Sequence, residues 1–149
     1  MIVLLDAGPL GLLSNPSGSP EALQCKNWVR NLTLNNVLVM VSEIADYEIR
    51  RELLRAKKVN GVKQLDLIKQ SLAYAKITTE VMLKAAELWA WARTTGQQTA
   101  SNESLDADVI LAAQAILMAL QGEYVVIATT NVSDLARYTP AKHWKDINI

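Results

Sequence analysis

The chain alternates short apolar runs with longer segments of helical rhythm. Residues 2–5, Ile2-Val3-Leu4-Leu5, are unbroken apolar and end in Asp6. A run without polar alternation predicts a strand buried on both faces. Gly8-Pro9 reads as a turn, residues 10–13 as a short helix, and residues 15–20 as loop by their Pro, Gly, Ser and Asn content. Leu23, Trp28 and Leu32 recur at helical spacing and predict a helix over 21–35, broken at Asn35-Asn36. Residues 37–41 form the second apolar run, and Ser42 can N-cap a helix reaching about Ala56. Residues 57–61 end that helix, and 62–72 look helical again. Residues 75–78 are a weak third strand, and Thr79 caps a helix that ends near Gly96. The polar stretch 97–104 reads as loop, and 105–120 as a helix with Gly122 past its end. Residues 124–128 are the fourth strand and 146–149 a short fifth.

Strands alternating with helices predict an α/β fold. A single domain over 1–149 would hold a central, mostly parallel sheet of four to five short strands, with helices on both faces. In such sheets ligands bind outside the carboxyl ends of the strands, near the switch point. Asp6 and Asn131 follow the first and fourth strands, and Glu43, Asp46 and Glu48 follow the second.

Composition narrows the function classes. The 149 residues include fifteen basic and fifteen acidic side chains, so only local charge can speak for or against nucleic acid. One cysteine, Cys25, excludes an internal disulfide framework and fits a reducing cytoplasm. The apolar start lacks a basic leader segment and reads as a strand rather than a signal peptide. No apolar stretch approaches the roughly 20 residues of a membrane span. The one histidine, His143, stands far along the chain from the acids and beside Trp144, and reads as structural. His-based nucleophilic schemes have no support, and no Gly-rich phosphate loop is present.

The acids therefore hold the candidate chemistry. Taken alone, Asp6 could be a turn residue, Glu48 a boundary glutamate pairing with Arg51 or Arg55, and Glu43 a first-turn acid favoured by the helix dipole. Asp108 heads a stripe of Ala112, Ala115 and Ala119, with Asp106 as a rival one half-turn earlier. Asn131 and Asp134 bracket Ser133 and could cap a helix. Together, four segments send acids or an amide to one edge of the sheet. Clustered carboxylates repel one another unless a cation neutralises them, so a site for a hard divalent ion is the better reading.

The same four segments resemble the PIN-domain nucleases, the group that includes VapC-type toxins. The matching pieces are residues 2–10, Ile2-Val3-Leu4-Leu5-Asp6-Ala7-Gly8-Pro9-Leu10, then residues 41–49, 108–115 and 128–135. The resemblance spans nearly the whole chain. It implies that Asp6, Glu48 and Asp108 are the metal-binding catalytic acids, with Asn131 where the family often has a fourth aspartate. Thr129 matches the hydroxyl residue just before it. Glu43, Asp106 and Asp134 are further candidates. The implied activity is a Mg²⁺- or Mn²⁺-dependent endoribonuclease, a hydrolase acting on RNA in the cytoplasm. Its implied partners are RNA, a cognate antitoxin if the chain is the toxin of such a pair, and a second copy in a homodimer.

Residues 50–63 hold six basic side chains against the single acid Glu52. Arg50, Arg51, Arg55, Lys57 and Lys58 are accordingly expected to contact RNA phosphates, with a solvated helix as the alternative. Trp89 and Trp91 are expected to pack rather than stack on bases. A receiver domain would also place acids at strand ends, but residues 77–79 lack the phosphoacceptor Asp it needs. The remaining rival is a PIN-like nucleic-acid-binding module with weak or no catalysis.

Overall fold

Sheet formation follows from the apolar runs. The computed structural model describes residues 1–96 and 102–149. Its elements are β1 (Ile2–Leu5), α1 (Ala7–Leu13), α2 (Pro20–Leu34), β2 (Leu38–Ser42), α3 (Glu43–Arg55), α4 (Val59–Ser71), β3 (Ala73–Ala75), α5 (Thr79–Thr94), α6 (Asn102–Leu120), β4 (Val125–Thr129), α7 (Val132–Ala136) and β5 (Ala141–His143), with a 3₁₀ turn over Trp144–Asp146. The sheet order is β3-β2-β1-β4-β5 and every pairing is parallel. The chain builds outward from β1 to β3, then returns to the other side of β1 for β4 and β5. The order reverses between β1 and β4, so the switch point lies between Asp6 and Thr129.

Strand alternation divides the core. Val3 and Leu5 face a cluster with Leu10, Leu13, Cys25, Val29, Leu32 and Leu65, from α1, α2 and α4. Ile2 and Leu4 face the opposite layer, with Leu111, Ala115 and Leu135 from α6 and α7. All four β1 side chains are buried, as the unbroken apolar run predicts. A third cluster, including Val81, Ala85, Val109 and Ala113, packs α5 onto α6.

Several boundaries differ from the sequence reading, each for a local reason. Gly8-Pro9 is not a turn: α1 begins at Ala7, and a first-turn proline gives up no intrahelical hydrogen bond. Helix α4 starts at Val59 rather than residue 62. Strand β3 ends at Ala75, because the next backbone groups are claimed by side chains. Ile77 N–H donates to the Glu43 carboxylate at 2.8 Å, and Gln114 Nε2 donates to the Ala75 and Lys76 carbonyls at 2.8 and 3.3 Å. Thr78, not Thr79, caps α5, its hydroxyl accepting from Val81 N–H at 3.2 Å. Helix α6 starts no later than Asn102; the rest of the expected 97–104 loop lies outside the described residues. The fifth strand is Ala141–His143, not 146–149, where Ile147 instead enters the core and its carbonyl accepts from Trp28 Nε1 at 2.9 Å. His143 Nδ1 accepts from Lys145 N–H at 3.2 Å, capping the 3₁₀ turn. No helix among the described residues is long and apolar enough to cross a membrane.

Two close approaches hold the β1 and β4 ends in place. Ser42 donates its hydroxyl to the Leu5 carbonyl at 2.9 Å and accepts from Ala45 N–H at 3.4 Å, tying β1 to the start of α3. Gly8 in the first turn of α1 lies against Thr130, where a Cβ would come within 2.7 Å of the threonine hydroxyl. Gly8→Ala is accordingly expected to destabilise the fold by about 1–3 kcal/mol. Thr130→Ala in the same chain should recover much of that loss. Urea unfolding of the single and double variants measures both; additive losses would mean that the two positions do not press on each other.

Candidate functional site

Asp6 leaves β1 at the switch point and serves as the N-cap of α1. Its Oδ1 accepts from Ala7 N–H at 2.7 Å, and its Oδ2 accepts from the Thr129 hydroxyl at 2.7 Å. Thr129, fully buried at the end of β4, in turn accepts from Asn131 N–H at 2.9 Å. The Asp6 backbone N–H also reaches the Ala128 carbonyl at 3.0 Å. Both carboxylate oxygens are thus oriented, and each keeps a free lone pair.

Asp108 lies within the first two turns of α6, a helix pinned to the sheet by Gln114. Its Oδ2 is buried and accepts no hydrogen bond. Burial pushes the Asp108 carboxyl up to about 7, and the charges of Asp6, Asp134 and Glu48 add to the push, against a pull from Arg137. Burial likewise raises Glu48, helped by Asp6. Asp6 is raised by burial against the opposing effect of its Thr129 and Ala7 hydrogen bonds. The carboxylates of β1, α3 and α6 therefore stand in one another's field. Among the described residues, no three acid, His or Cys side chains are gathered tightly enough to grip an ion as they stand. The donor chemistry nonetheless fits a hard cation. The buried, unpartnered Oδ2 of Asp108 lies in the field of Asp6, Glu48 and Asp134, and such an oxygen suits a hard cation.

The other candidates separate. Glu43 faces the β3 side, accepting from Ile77 N–H at 2.8 Å and from the Tyr74 hydroxyl at 3.4 Å. Asp106 is exposed and lines a groove of about 420 Å³ with Met82, Ala85, Trp89 and Val109, on the α5 side. Asn131 is exposed, and its amide nitrogen donates to Asp134 Oδ2 at 2.6 Å. The fourth negative charge felt by Asp108 comes from Asp134, three residues beyond Asn131. Arg137 was missed by sequence reasoning. It sits past the end of α7, and only the folding of that short helix back toward α6 brings its charge to Asp108.

The basic segment is also redistributed. Arg50, expected at RNA phosphates, is instead committed within the protein. It pairs with the buried Asp46 at 3.0 Å and with Asp66 at 2.8 Å, while Asp46 also accepts from the Tyr74 hydroxyl at 2.8 Å. Arg55 pairs with Glu52 at 2.9 Å on the exposed face, a contact of small energetic value. Arg51 lies over the Tyr47 ring, 5.1 Å from its centroid. Lys57 and Lys58 line a cleft of about 700 Å³ with Gly11, Ser14, Asn15 and Asn60, beside the same α1 and α3 that present Asp6 and Glu48. Trp91 packs edge-on against Tyr138, with ring centroids 5.7 Å apart, and Trp89 stacks with Arg93.

The raised Asp108 carboxyl has a pH consequence with a definite sign. A folded-state value above the unfolded one means the native state binds more protons between about 4 and 7. Stability of the metal-free protein should therefore fall as pH rises through that window, and the raised Asp6 and Glu48 act in the same direction. Asp108→Asn should melt higher than the wild type in EDTA at pH 7.5, with the difference vanishing near pH 4. Thermal unfolding across pH checks this; a wild-type advantage at pH 7.5 would contradict it.

A scan against protein-family models finds no match to the chain, and a search of curated proteins finds none either. Solved structures do match. A chain in the crystal structure of VapBC2 from Rickettsia felis, bound to a DNA fragment from their promoter, superposes with a TM-score of 0.75 at 18% identity, over 97% of this chain and 99% of that one. A chain in the 2.2 Å structure of VapBC-1 from nontypeable Haemophilus influenzae gives 0.69 at 16% identity, over 98% and 100%. With a five-stranded parallel sheet in the order β3-β2-β1-β4-β5 and a carboxylate-lined switch point, the chain has the PIN-like fold.

Proposed function

We propose that the protein is a divalent-metal-dependent endoribonuclease, with Asp6, Glu48 and Asp108 as the carboxylates that hold Mg²⁺ or Mn²⁺. The observation that supports this most is Asp108, whose buried Oδ2 lacks a partner while Asp6, Glu48 and Asp134 all raise its carboxyl. Acids so placed are unfavourable in a protein without a use for them. When bound, a divalent ion relieves charge on a scissile phosphate and acidifies an attacking water. Asp6 would present its free lone pairs from a carboxylate locked by Ala7 and Thr129. Thr129 acts as a positioning residue, since it holds Asp6 rather than the reacting atoms. Glu48 and Asp108 would complete the ligand set from α3 and α6 by small side-chain rotations. Asn131, with its amide turned toward Asp134, contributes through its free carbonyl oxygen or through water.

Substrate guidance is assigned to Lys57, Lys58 and Arg51, whose charges are not taken up by carboxylates in the way Arg50's is. The VapBC assemblies similar in structure support reading the chain as the toxin of a toxin–antitoxin pair, with a cognate antitoxin protein as partner. Exposed apolar residues on α5, Met82, Leu83 and Trp91, support a homodimer. A cytoplasmic location is part of the same reading. The rival, a binding module without cleavage, draws on Asn131 in place of a fourth acid.

Cleavage of a mixed RNA pool should require Mg²⁺ or Mn²⁺ and stop in EDTA. Asp6→Asn and Asp108→Asn should each lower the rate on the order of 100-fold or more while folding persists, and Thr129→Val by about 10–100-fold. Equal cleavage by wild type and variants would point to a contaminant. RNA binding without cleavage under any metal would favour the binding module.

Replacing Lys57 and Lys58 by Gln should weaken single-stranded RNA binding and reduce the log–log salt slope by about 1.4. Filter binding of the Asp6→Asn protein over a salt series measures this without substrate loss. An unchanged slope would make the two lysines a solvated surface.

A further inference from the structure

Helix α3 carries an aromatic–arginine pair that its packing does not explain. The helix buries Ile44 and Ala45 and turns Ile49 and Leu53 onto the core. Tyr47 lies outside that face and is 56% exposed. Arg51, one turn on and also exposed, lays its guanidinium over the Tyr47 ring, 5.1 Å from the centroid. Tyrosine is a weaker helix former than alanine, so helix propensity does not account for the ring either. Arg50 and Arg55 are held by carboxylates, but among the described residues no carboxylate is in ion-pair contact with Arg51.

The pair stands at the carboxyl edge of the sheet. Ser42, the N-cap of α3, donates to the Leu5 carbonyl at 2.9 Å, so α3 starts beside the residue that precedes Asp6. Tyr47 follows roughly 7–8 Å along the helix, at 1.5 Å per residue, and immediately precedes Glu48. Arg51, at i+4 from Tyr47 and i+3 from Glu48, neighbours both. Comparable rings lie elsewhere. Trp89 stacks with Arg93, 4.9 Å from its centroid, but lines the groove with Asp106 on the α5 side. Tyr124, also 56% exposed, precedes β4 and so lies at the amino edge of the sheet.

A guanidinium stacked on an exposed ring is a flat, positively charged surface. Unpaired bases are held on such surfaces, whereas a duplex keeps its bases stacked internally. We propose that Tyr47 and Arg51 form the stacking platform for an unpaired base of an RNA strand whose backbone passes over the carboxylates of Asp6 and Glu48. The proposal rests on the ribonuclease reading above and names the form of RNA taken: single strands and loops, not continuous duplex. A stacked base draws the strand to an edge whose carboxylates repel its phosphates. Tyr47 supplies affinity that salt does not screen, whereas Lys57 and Lys58 act on phosphates and lose effect as salt rises.

The test is binding of a short single-stranded RNA and of its duplex to the full chain, with Tyr47→Ala, Tyr47→Phe and Tyr124→Ala each added to Asp6→Asn to prevent cleavage. Tyr47→Ala should weaken single-strand binding about tenfold, with an unchanged salt slope and little effect on the duplex. Tyr47→Phe, which keeps the ring, and Tyr124→Ala should bind like the parent. Irradiation of a 5-iodouridine RNA should join it to the peptide that holds Tyr47. With Asp6 intact and Mg²⁺ or Mn²⁺ present, Tyr47→Ala should raise KM and leave kcat nearly unchanged, since the ring holds the strand and not the reacting atoms. Unchanged binding and KM in Tyr47→Ala, with cleavage retained, would leave the ribonuclease reading standing and overturn the platform. An equal loss in Tyr47→Phe would overturn it as well, because the ring would then not be what binds. Tyr47-dependent binding without cleavage under any metal would keep the platform and remove the nuclease. A parent protein that binds no RNA would overturn both.

Discussion

The hydrogen bond from the Thr129 hydroxyl to Asp6 Oδ2 joins the carboxyl ends of β1 and β4, and much of the site depends on it. It crosses the one place in the sheet where the strand order reverses. A carboxylate there must be held without being neutralised, and an O–H donor does that: it orients one oxygen and leaves the charge in place. Thr129 can donate because its own oxygen is fixed by Asn131 N–H, and it is buried so water does not compete. The first turn of α1 closes against the same loop, where Gly8 lets Thr130 approach. The backbone of the β4–α7 loop thereby sets the direction of a side chain more than a hundred residues earlier.

Around that bond the structure stores electrostatic tension. Burial raises Asp6, Glu48 and Asp108, and repulsion from neighbouring carboxylates adds to it at Glu48 and Asp108. Relief is partial. It comes from the charge of Arg137 at Asp108, from that of Arg51 at Glu48, and from the Thr129 and Ala7 hydrogen bonds to Asp6. Asp134, rather than Asn131, supplies the further negative charge, so an amide at 131 does not leave the edge short of acid.

A second polar network shows the opposite solution to a buried acid. Asp46 is almost fully buried yet satisfied, by Arg50, by the Tyr74 hydroxyl and by Lys69 at 3.6 Å. Glu43 joins it through Tyr74 and caps the chain after β3 through Ile77. This network locks α3 and α4 to the β3 edge. It also withdraws Arg50 from the basic segment, so the solvent-facing charge beside the cleft comes mainly from Lys57 and Lys58. Neighbouring acids on α3 thus have different fates: Asp46 is neutralised by partners, and Glu48 is left in the field of Asp6.

The sequence by itself determined the α/β alternation, the buried β1, the parallel sheet and the strand end at which Asp6 stands. Those features follow from period, from apolar runs and from the rule that parallel strands end together. Strand limits near Ala75 and the site of the last strand were not legible, because Glu43, Gln114 and Trp28 decide them by side-chain bonds from distant segments. Choosing between Asp106 and Asp108 required knowing which side of α6 meets the sheet and which meets α5, a packing outcome that two residues of separation cannot settle. Arg137 gave no local signal: a lone arginine after a five-residue helix is ordinary until tertiary structure buries its terminal nitrogens and brings its charge to bear on Asp108. Local pattern encodes which residues become strand or helix, because hydrogen bonding and burial repeat along the chain. Only the packed fold decides which charges meet, because Coulomb energy depends on distance through space and on the water excluded between them.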